Sequence, residues 1–272
     1  MPMIRRSLLF LLLLAEALAA SNEDCLRILQ QALKDRNPDT RKEAVVALSL
    51  AVSRGPLLPE LISMLDDKDV SVRLAAVTSL VEVKNKQSHD ALRRALADPV
   101  PEVRFAAAKA LWALHDPQGE EALRGVLQGE TKASSGLITR EKQQAAHMLH
   151  TPRALLLYVL IQGVGFAPVP GLGEGVASMQ ALLLDPKFSS RANAALLLGN
   201  DKDPAVVDAL RDGLRDKDWS LRAASAHALA LRNDPSLQTA LEPLLNDQKQ
   251  AVRLRAAAGY VRLSSFAPRP RK

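Results

Sequence analysis

Two histidines three positions apart, His147 and His150, have the spacing at which two imidazoles share one face of a helix. Such a pair can begin a transition-metal site, which needs a third and usually a fourth protein ligand. No third ligand is evident from the sequence, and histidines on solvated helix faces are common. We therefore interpret His147 and His150 as ordinary surface histidines. The sequence predicts neither a metal centre nor a resident cofactor.

A Gly-x-Gly-x-Gly stretch at 171–175 could offer backbone N–H groups to a phosphate at the start of a helix. No strand precedes it, no Lys-Ser or Lys-Thr pair follows, and Glu174 would repel a phosphate. Two interpretations remain for the surrounding apolar Gly/Pro insertion at 150–178. It either packs into the fold, or it contacts a partner or a membrane surface through Val164, Phe166 and Leu172.

Residues for nucleophilic catalysis are not grouped in the sequence. Cys25 is the single cysteine, so an internal disulfide framework is excluded, and no histidine pairs with it in the sequence pattern. No Gly-x-Ser-x-Gly elbow occurs either. The sequence predicts no catalytic residues.

The most regular charged pattern is an aspartate followed six positions later by an arginine. A catalytic pair would not recur in every unit of a chain, so we predict a structural ladder between turns and helices. The acidic members are Asp35, Asp67, Asp98, Asp185, Asp216 and Asp247, and the basic members are Arg41, Arg73, Arg104, Arg191, Arg222 and Arg253.

Leucine or methionine stands eight and twelve positions before these arginines, so each pair shares one face of a first helix. The aspartate turn ends that helix, and a second helix carrying small residues follows. Ser71, Ser189 and Ser220 are predicted to cap second helices, because a serine oxygen accepts a free N–H at a helix start. One such unit cannot cover its own apolar faces, so the units must stack.

The aspartate turn and the Val-Arg-x-Ala-Ala stretch, as at 72–76 and 103–107, resemble HEAT-like repeats. The closest likeness is to the short bacterial type associated with phycobilin lyases. The resemblance implies an all-α fold, an α-solenoid of about seven helix-turn-helix repeats. The resemblance covers about 24–264, and the solenoid is predicted over 21–266, with an irregular junction at 129–178 where the repeat spacing fails. Proteins with such repeats act as scaffolds, adaptors, assembly factors and chromophore lyases, and rarely as enzymes.

One column of the second helices, five positions after each arginine, is predicted to face a concave surface. With neighbouring aromatics it forms a mixed apolar and basic strip suited to a protein segment; an ordinary solvated face is the alternative. The strip consists of Phe105, Lys109, Trp112, His147 and His227.

Residues 1–20 have the pattern of a signal peptide. Arg5 and Arg6 precede a short apolar run at 7–15, and small residues at 17–19 predict cleavage after Ala19 or Ala20. A buried first helix is the alternative. The mature protein is accordingly predicted to be exported, either periplasmic or secreted.

The net charge of +6 is mild and partly concentrated in a basic tail at 267–272. A nucleic-acid binder usually carries a denser basic stripe, so no nucleic-acid partner is expected. The sequence predicts a non-enzymatic, exported scaffold or adaptor for a protein or peptide. The alternative is an enzyme or cofactor-handling protein of the HEAT-like lyase type.

Overall fold

The computed structural model describes residues 20–52, 57–83, 85–128 and 187–267. Every regular element within these ranges is helical, which confirms the predicted all-α solenoid. None of the described helices is long and apolar enough to span a membrane.

The described helices form two groups in the chain. The N-terminal module comprises α1 Asn22–Leu33, α2 Pro38–Val52, α3 Leu58–Ser63 with a 3₁₀ turn at Met64–Asp66, α4 Val70–Leu80, α5 Lys86–Ala95, α6 Pro101–Ala113 and α7 Pro117–Leu127. The C-terminal module comprises α8 Ser190–Leu197, α9 Pro204–Gly213, α10 Trp219–Leu231, a 3₁₀ helix at Pro235–Asn246 and α11 Gln250–Ser264.

First and second helices of the repeats differ in how far they are buried. In α5 the buried residues recur every three or four positions, which is the pattern of a helix with one face against the core. In α10 nearly every residue is buried, because the helix packs against α8, α9, α11, α2 and the 3₁₀ helix at 235–246. The second helices therefore form the interior of the solenoid.

Aspartate caps two of the second helices for which serine was predicted. The side chains of Asp69 and Asp218 accept from the backbone N–H groups two residues later, so α4 and α10 begin one residue before Ser71 and Ser220. The prediction of these two serines as caps is wrong. At α8 the predicted cap is confirmed, since the Ser189 hydroxyl oxygen accepts from the N–H of Ala192.

The second helices do not stack in chain order. Along the interior, α8 packs on α10, α10 on α11, α11 on α2, α2 on α4, and α4 on α6. The C-terminal module thus precedes the N-terminal module in the stack, and the last described helix covers the face of α2 that chain order would leave at one end.

Polar contacts cross this boundary between the modules, and each joins residues more than 200 positions apart. The bonds run from Thr40 Oγ1 to Gln250 Oε1 (3.0 Å), from Arg255 Nη1 to Glu43 Oε2 (2.8 Å), from Arg262 Nη1 to the Leu50 carbonyl (2.9 Å), and from Tyr260 Oη to the Ala20 carbonyl (2.5 Å). Because Leu29, Leu48 and Leu254 are buried alongside, the boundary is continuous with the core.

Candidate functional site

The aspartates and arginines of the repeats meet between neighbouring units. Arginine Nε and Nη2 grip both oxygens of the aspartate in the next unit, at 2.7 to 3.2 Å. These two-point pairs are Arg41–Asp67, Arg73–Asp98 and Arg222–Asp247. Arg191 reaches Asp216 through Nη2 at 2.8 Å, in a more exposed pair. Two parallel bonds fix the orientation of one unit on the next.

The same arginines also fasten the turn in their own unit. Nη1 of Arg41 donates to the carbonyl oxygen of Asp35 at 2.9 Å, six residues earlier. Equivalent bonds to the aspartate six residues earlier are made by Arg73, Arg104, Arg222 and Arg253. Arg41, Arg73 and Arg222 therefore each tie their own turn to the following one.

The aspartates order their turns as well. One carboxylate oxygen of Asp67 accepts from the N–H of Asp69 at 2.8 Å, and the equivalent bond recurs at Asp35, Asp98, Asp216 and Asp247. The Arg41 guanidinium holds the pKa of Asp67 below its ordinary value. Asp67 therefore stays ionised, and these contacts are those of a structural ladder. Asp185 lies outside the described residues.

Part of the predicted surface strip is present on α6. Trp112 is 55% exposed, and Lys109 Nζ lies 5.8 Å from the centroid of the half-buried Phe105 ring. Burial lowers the pKa of Lys109. Leu74 and Thr78 occupy the equivalent half-buried positions on the neighbouring helix α4. We call these five residues the α4–α6 face.

His227 does not belong to that surface, and its prediction as a residue of the exposed strip is wrong. Its side chain on α10 is fully buried, because other helices pack against α10 on several sides. The residues five positions after the arginine on α8 and α11, Leu196 and Ala258, are buried as well. Helical periodicity sets which way a side chain points, but the number of neighbouring helices decides whether that direction leads to solvent.

Several other predicted positions lie outside the described residues. They are His147, Val164, Phe166, Leu172, residues 1–19 of the predicted signal peptide at 1–20, most of the tail at 267–272, and the junction at 129–178. In the ranges that the structure does describe, no three His, Cys, Asp or Glu side chains are grouped as a metal site would require.

A buried charged pair that the sequence analysis missed lies at the boundary between the modules. Arg255 is fully buried, and its Nη1 bonds to Glu43 Oε2 at 2.8 Å and to the Ala251 carbonyl at 3.1 Å. Burial opposes the charge of Glu43, yet Arg255 together with Lys42 and Lys187 outweighs that effect and holds the Glu43 pKa below its ordinary value. The sequence did contain a sign of this pair. Glu43 and Arg255 each stand two positions after a ladder arginine, where other units have alanine, as at Ala75.

Aromatic and imidazole groups complete the surroundings of Arg255. The Phe188 ring centroid lies 5.6 Å from the Arg255 Cζ atom and meets the Trp219 ring edge-to-face at 5.7 Å. The positive charge of Arg255 also acts on the nearby His227. Burial, reinforced by Arg255 and Arg262, lowers the pKa of His227 to about 3, so its imidazole is neutral.

Stacked two-helix units joined by an aspartate–arginine ladder define an α-solenoid of the HEAT type. The family model for HEAT repeats matches residues 58–134 and 177–260, more than half of the chain. The chain belongs to the HEAT repeat family.

Two curated relatives show similarity over a single stretch. They are the proteins named Stalled ribosome sensor GCN1 from Mus musculus and from Homo sapiens, each 34% identical over 100 residues. The stretch is 37% of this chain and 3% of each relative, so the chain spans only a small fraction of their length.

Proposed function

We propose that this protein is an exported, non-enzymatic scaffold or adaptor that binds a protein or peptide segment through the α4–α6 face. The observation that carries the proposal is the exposure of Trp112 beside the Phe105–Lys109 pair. Tryptophan is enriched among the residues that dominate binding energy at interfaces. An exposed indole beside the half-buried Phe105 ring suits a segment with an apolar side chain.

Membership of the HEAT repeat family supports protein interaction in general, because solenoid repeats present extended surfaces to other polypeptides. The two relatives are named as stalled ribosome sensors, and the similar stretch is a small part of them. We therefore infer no ribosomal role from them.

Export is the second part of the proposal and is supported by the basic start, apolar run and small residues of positions 1–20. Fractionation of the cells that naturally make the protein tests it, combined with the mass of its N-terminal peptide. A mature terminus at Ala20 or Ser21 outside the cytoplasmic fraction is expected. A cytoplasmic protein that retains residues 1–18 would contradict export.

Site-specific photo-crosslinking tests the binding face. A photoreactive residue at Thr78 on the α4–α6 face is expected to crosslink a discrete partner, and the Trp112→Ala substitution should abolish that crosslink. The matched control is the same residue at Gln118, which is exposed on α7. Equal crosslinking from Thr78 and Gln118, or a pattern that Trp112→Ala leaves unchanged, would refute the face.

A further inference from the structure

The Arg255 guanidinium forms hydrogen bonds through Nη1 and none through Nε or Nη2 among the described residues. Nη1 is occupied by Glu43 and the Ala251 carbonyl. Among the described residues neither Nε nor Nη2 has a hydrogen-bond partner, although the side chain is wholly buried. A buried cationic donor without an acceptor is costly, so such groups ordinarily face an acceptor of some kind.

The unbonded side is the one this chain uses elsewhere to hold carboxylates. In Arg41, Arg73 and Arg222 the Nε and Nη2 atoms each bond one oxygen of an aspartate, while Nη1 bonds a backbone carbonyl. Arg255 also uses Nη1 for a backbone carbonyl, that of Ala251 four residues earlier in its own helix. Its Nε and Nη2 are therefore available for the two parallel bonds that a carboxylate accepts.

His227 adds a second unpartnered group beside Arg255. It is fully buried, and in the described part of the chain neither Nδ1 nor Nε2 has a hydrogen-bond partner. A neutral imidazole carries one N–H and can donate it to an oxyanion. Arg255 and Arg262 both lie near it, so the local charge favours an anion over a cation.

We propose that the Nε–Nη2 side of Arg255, with His227 beside it, binds a single carboxylate group supplied by a ligand. The ligand is a small free carboxylate or an acidic residue of a peptide, and both present the same chemistry. Glu43 on the opposite side of the guanidinium repels a second negative charge, which restricts the site to one carboxylate. This site is separate from the α4–α6 face and does not depend on it.

The position of Phe188 determines how a ligand reaches the site. Its ring lies against the guanidinium and is itself buried, whereas the Glu43 side chain is 27% exposed at the solvent edge. The Phe188 ring packs edge-to-face with Trp219 and is buried, so entry of a ligand requires its side chain to rotate away from the guanidinium. Binding is accordingly expected to be slow relative to diffusion.

Thermal unfolding of the full chain tests the proposal with two probes. The first is sodium acetate against sodium chloride at equal ionic strength. The second is a blocked pentapeptide with one glutamate among alanines, against its glutamine version. At about ten times the dissociation constant, a carboxylate probe should raise Tm by roughly 3 °C. A rise in Tm with acetate indicates that the ligand is a small free carboxylate. A rise with the glutamate peptide alone indicates that the carboxylate comes from a peptide.

Two variants show which arginine is responsible. Arg255→Lys removes the two-point donor and should lose the rise in Tm. Arg222→Lys, whose carboxylate partner is Asp247, should unfold at a lower temperature and keep the rise. An equal rise in Arg255→Lys, or no rise with either probe in the unsubstituted protein, overturns the proposal.

Nuclear magnetic resonance of the unsubstituted protein with ¹⁵N-labelled arginine covers the case in which Arg255→Lys fails to fold. The Arg255 Nε resonance should shift on addition of the active probe, while that of Arg222, already bonded to Asp247, should stay in place. An Arg255 resonance that does not move at probe concentrations that raise Tm overturns the proposal.

Discussion

His227 is a neutral imidazole enclosed by helices and flanked by two arginines. Its pKa in the folded protein is lowered to about 3 from the ordinary 6.5, first by burial and then by Arg255 and Arg262. The folded chain therefore binds no proton at His227 between these two pH values, whereas the unfolded chain does. Proton uptake by the unfolded state draws the equilibrium towards unfolding.

We predict that the free energy of unfolding falls as pH decreases from 6.5 towards 3 and is unaffected by His227 above 6.5. The slope due to this residue approaches about 1.4 kcal/mol per pH unit. His227→Leu should remove that part of the slope, because leucine does not titrate. We expect the variant to fold, since Leu196 occupies the equivalent buried position on α8. Urea unfolding at pH 7.5, 6, 5 and 4.5 measures both curves. Parallel curves would show that His227 titrates normally.

Among single residues, the sequence revealed the ladder aspartates and arginines but not their pairing. A spacing of six places each arginine near its own turn, and the Nη1 bond to the turn carbonyl corresponds to that spacing. The carboxylate that Arg41 grips, however, belongs to Asp67, 26 positions later. Only the stacking distance between units determines that pair, and sequence spacing within one unit carries no information about it.

Turns between helices are the elements that the ladder holds in place. Asp67 begins the turn before α4, accepts the N–H of Asp69 and binds Arg41 with both oxygens. Its side chain and that of Arg41 are both less than a tenth exposed. One aspartate thus fixes a turn within its own unit and fixes the angle at which two units meet.

Asp67→Ala is expected to lower the free energy of unfolding by about 3 kcal/mol, because Arg41 would be left buried and without its counter-charge. Chemical denaturation followed by circular dichroism measures the change. Asp208→Ala is the matched control: its partner Arg211 lies 3.5 Å away in an exposed pair, so no measurable change is expected. Equal effects of the two substitutions would mean that the ladder contributes no more than surface charge.

Helix starts were predicted less accurately than helix faces. The leucine spacing identified one face of each first helix, because apolar periodicity follows directly from burial. The starts at Ser71 and Ser220 were misplaced by the chemistry of the cap, since Asp69 and Asp218 cap two residues earlier and accept from the N–H groups of those serines. Serine and aspartate are both good caps, and the sequence alone does not rank two that stand two positions apart.

The stack order of the whole molecule could not be derived from the repeats. Every unit presents similar faces, so α11 fits against α2 as well as one consecutive unit fits the next. Self-similarity, which made the fold predictable, therefore conceals which units are neighbours. The polar contacts at the boundary, such as that of Thr40 with Gln250, distinguish this order from an array in chain order.

A chemical crosslink across the boundary tests this order. In the Thr40→Cys/Gln250→Cys variant, a short bifunctional thiol reagent should give a crosslinked monomer that migrates faster on a denaturing gel, because Thr40 Oγ1 and Gln250 Oε1 lie 3.0 Å apart. Thr40→Cys alone is the control. Burial raises the pKa of the native Cys25 thiol to about 12, so Cys25 will not compete. Crosslinking that yields only covalent dimers would contradict the stack order.

The contact of α11 with α2 also governs the timing of folding during synthesis. A solenoid stacked in chain order can cover each helix soon after it emerges, with the unit that follows. Here one face of α2 is covered only by α11, which is synthesised more than 200 residues later. The apolar surface of α2 therefore stays uncovered for most of translation. Such late closure favours slow folding and exposes the nascent chain to aggregation. A chaperone that shields α2 until α11 arrives would be of most use to this protein.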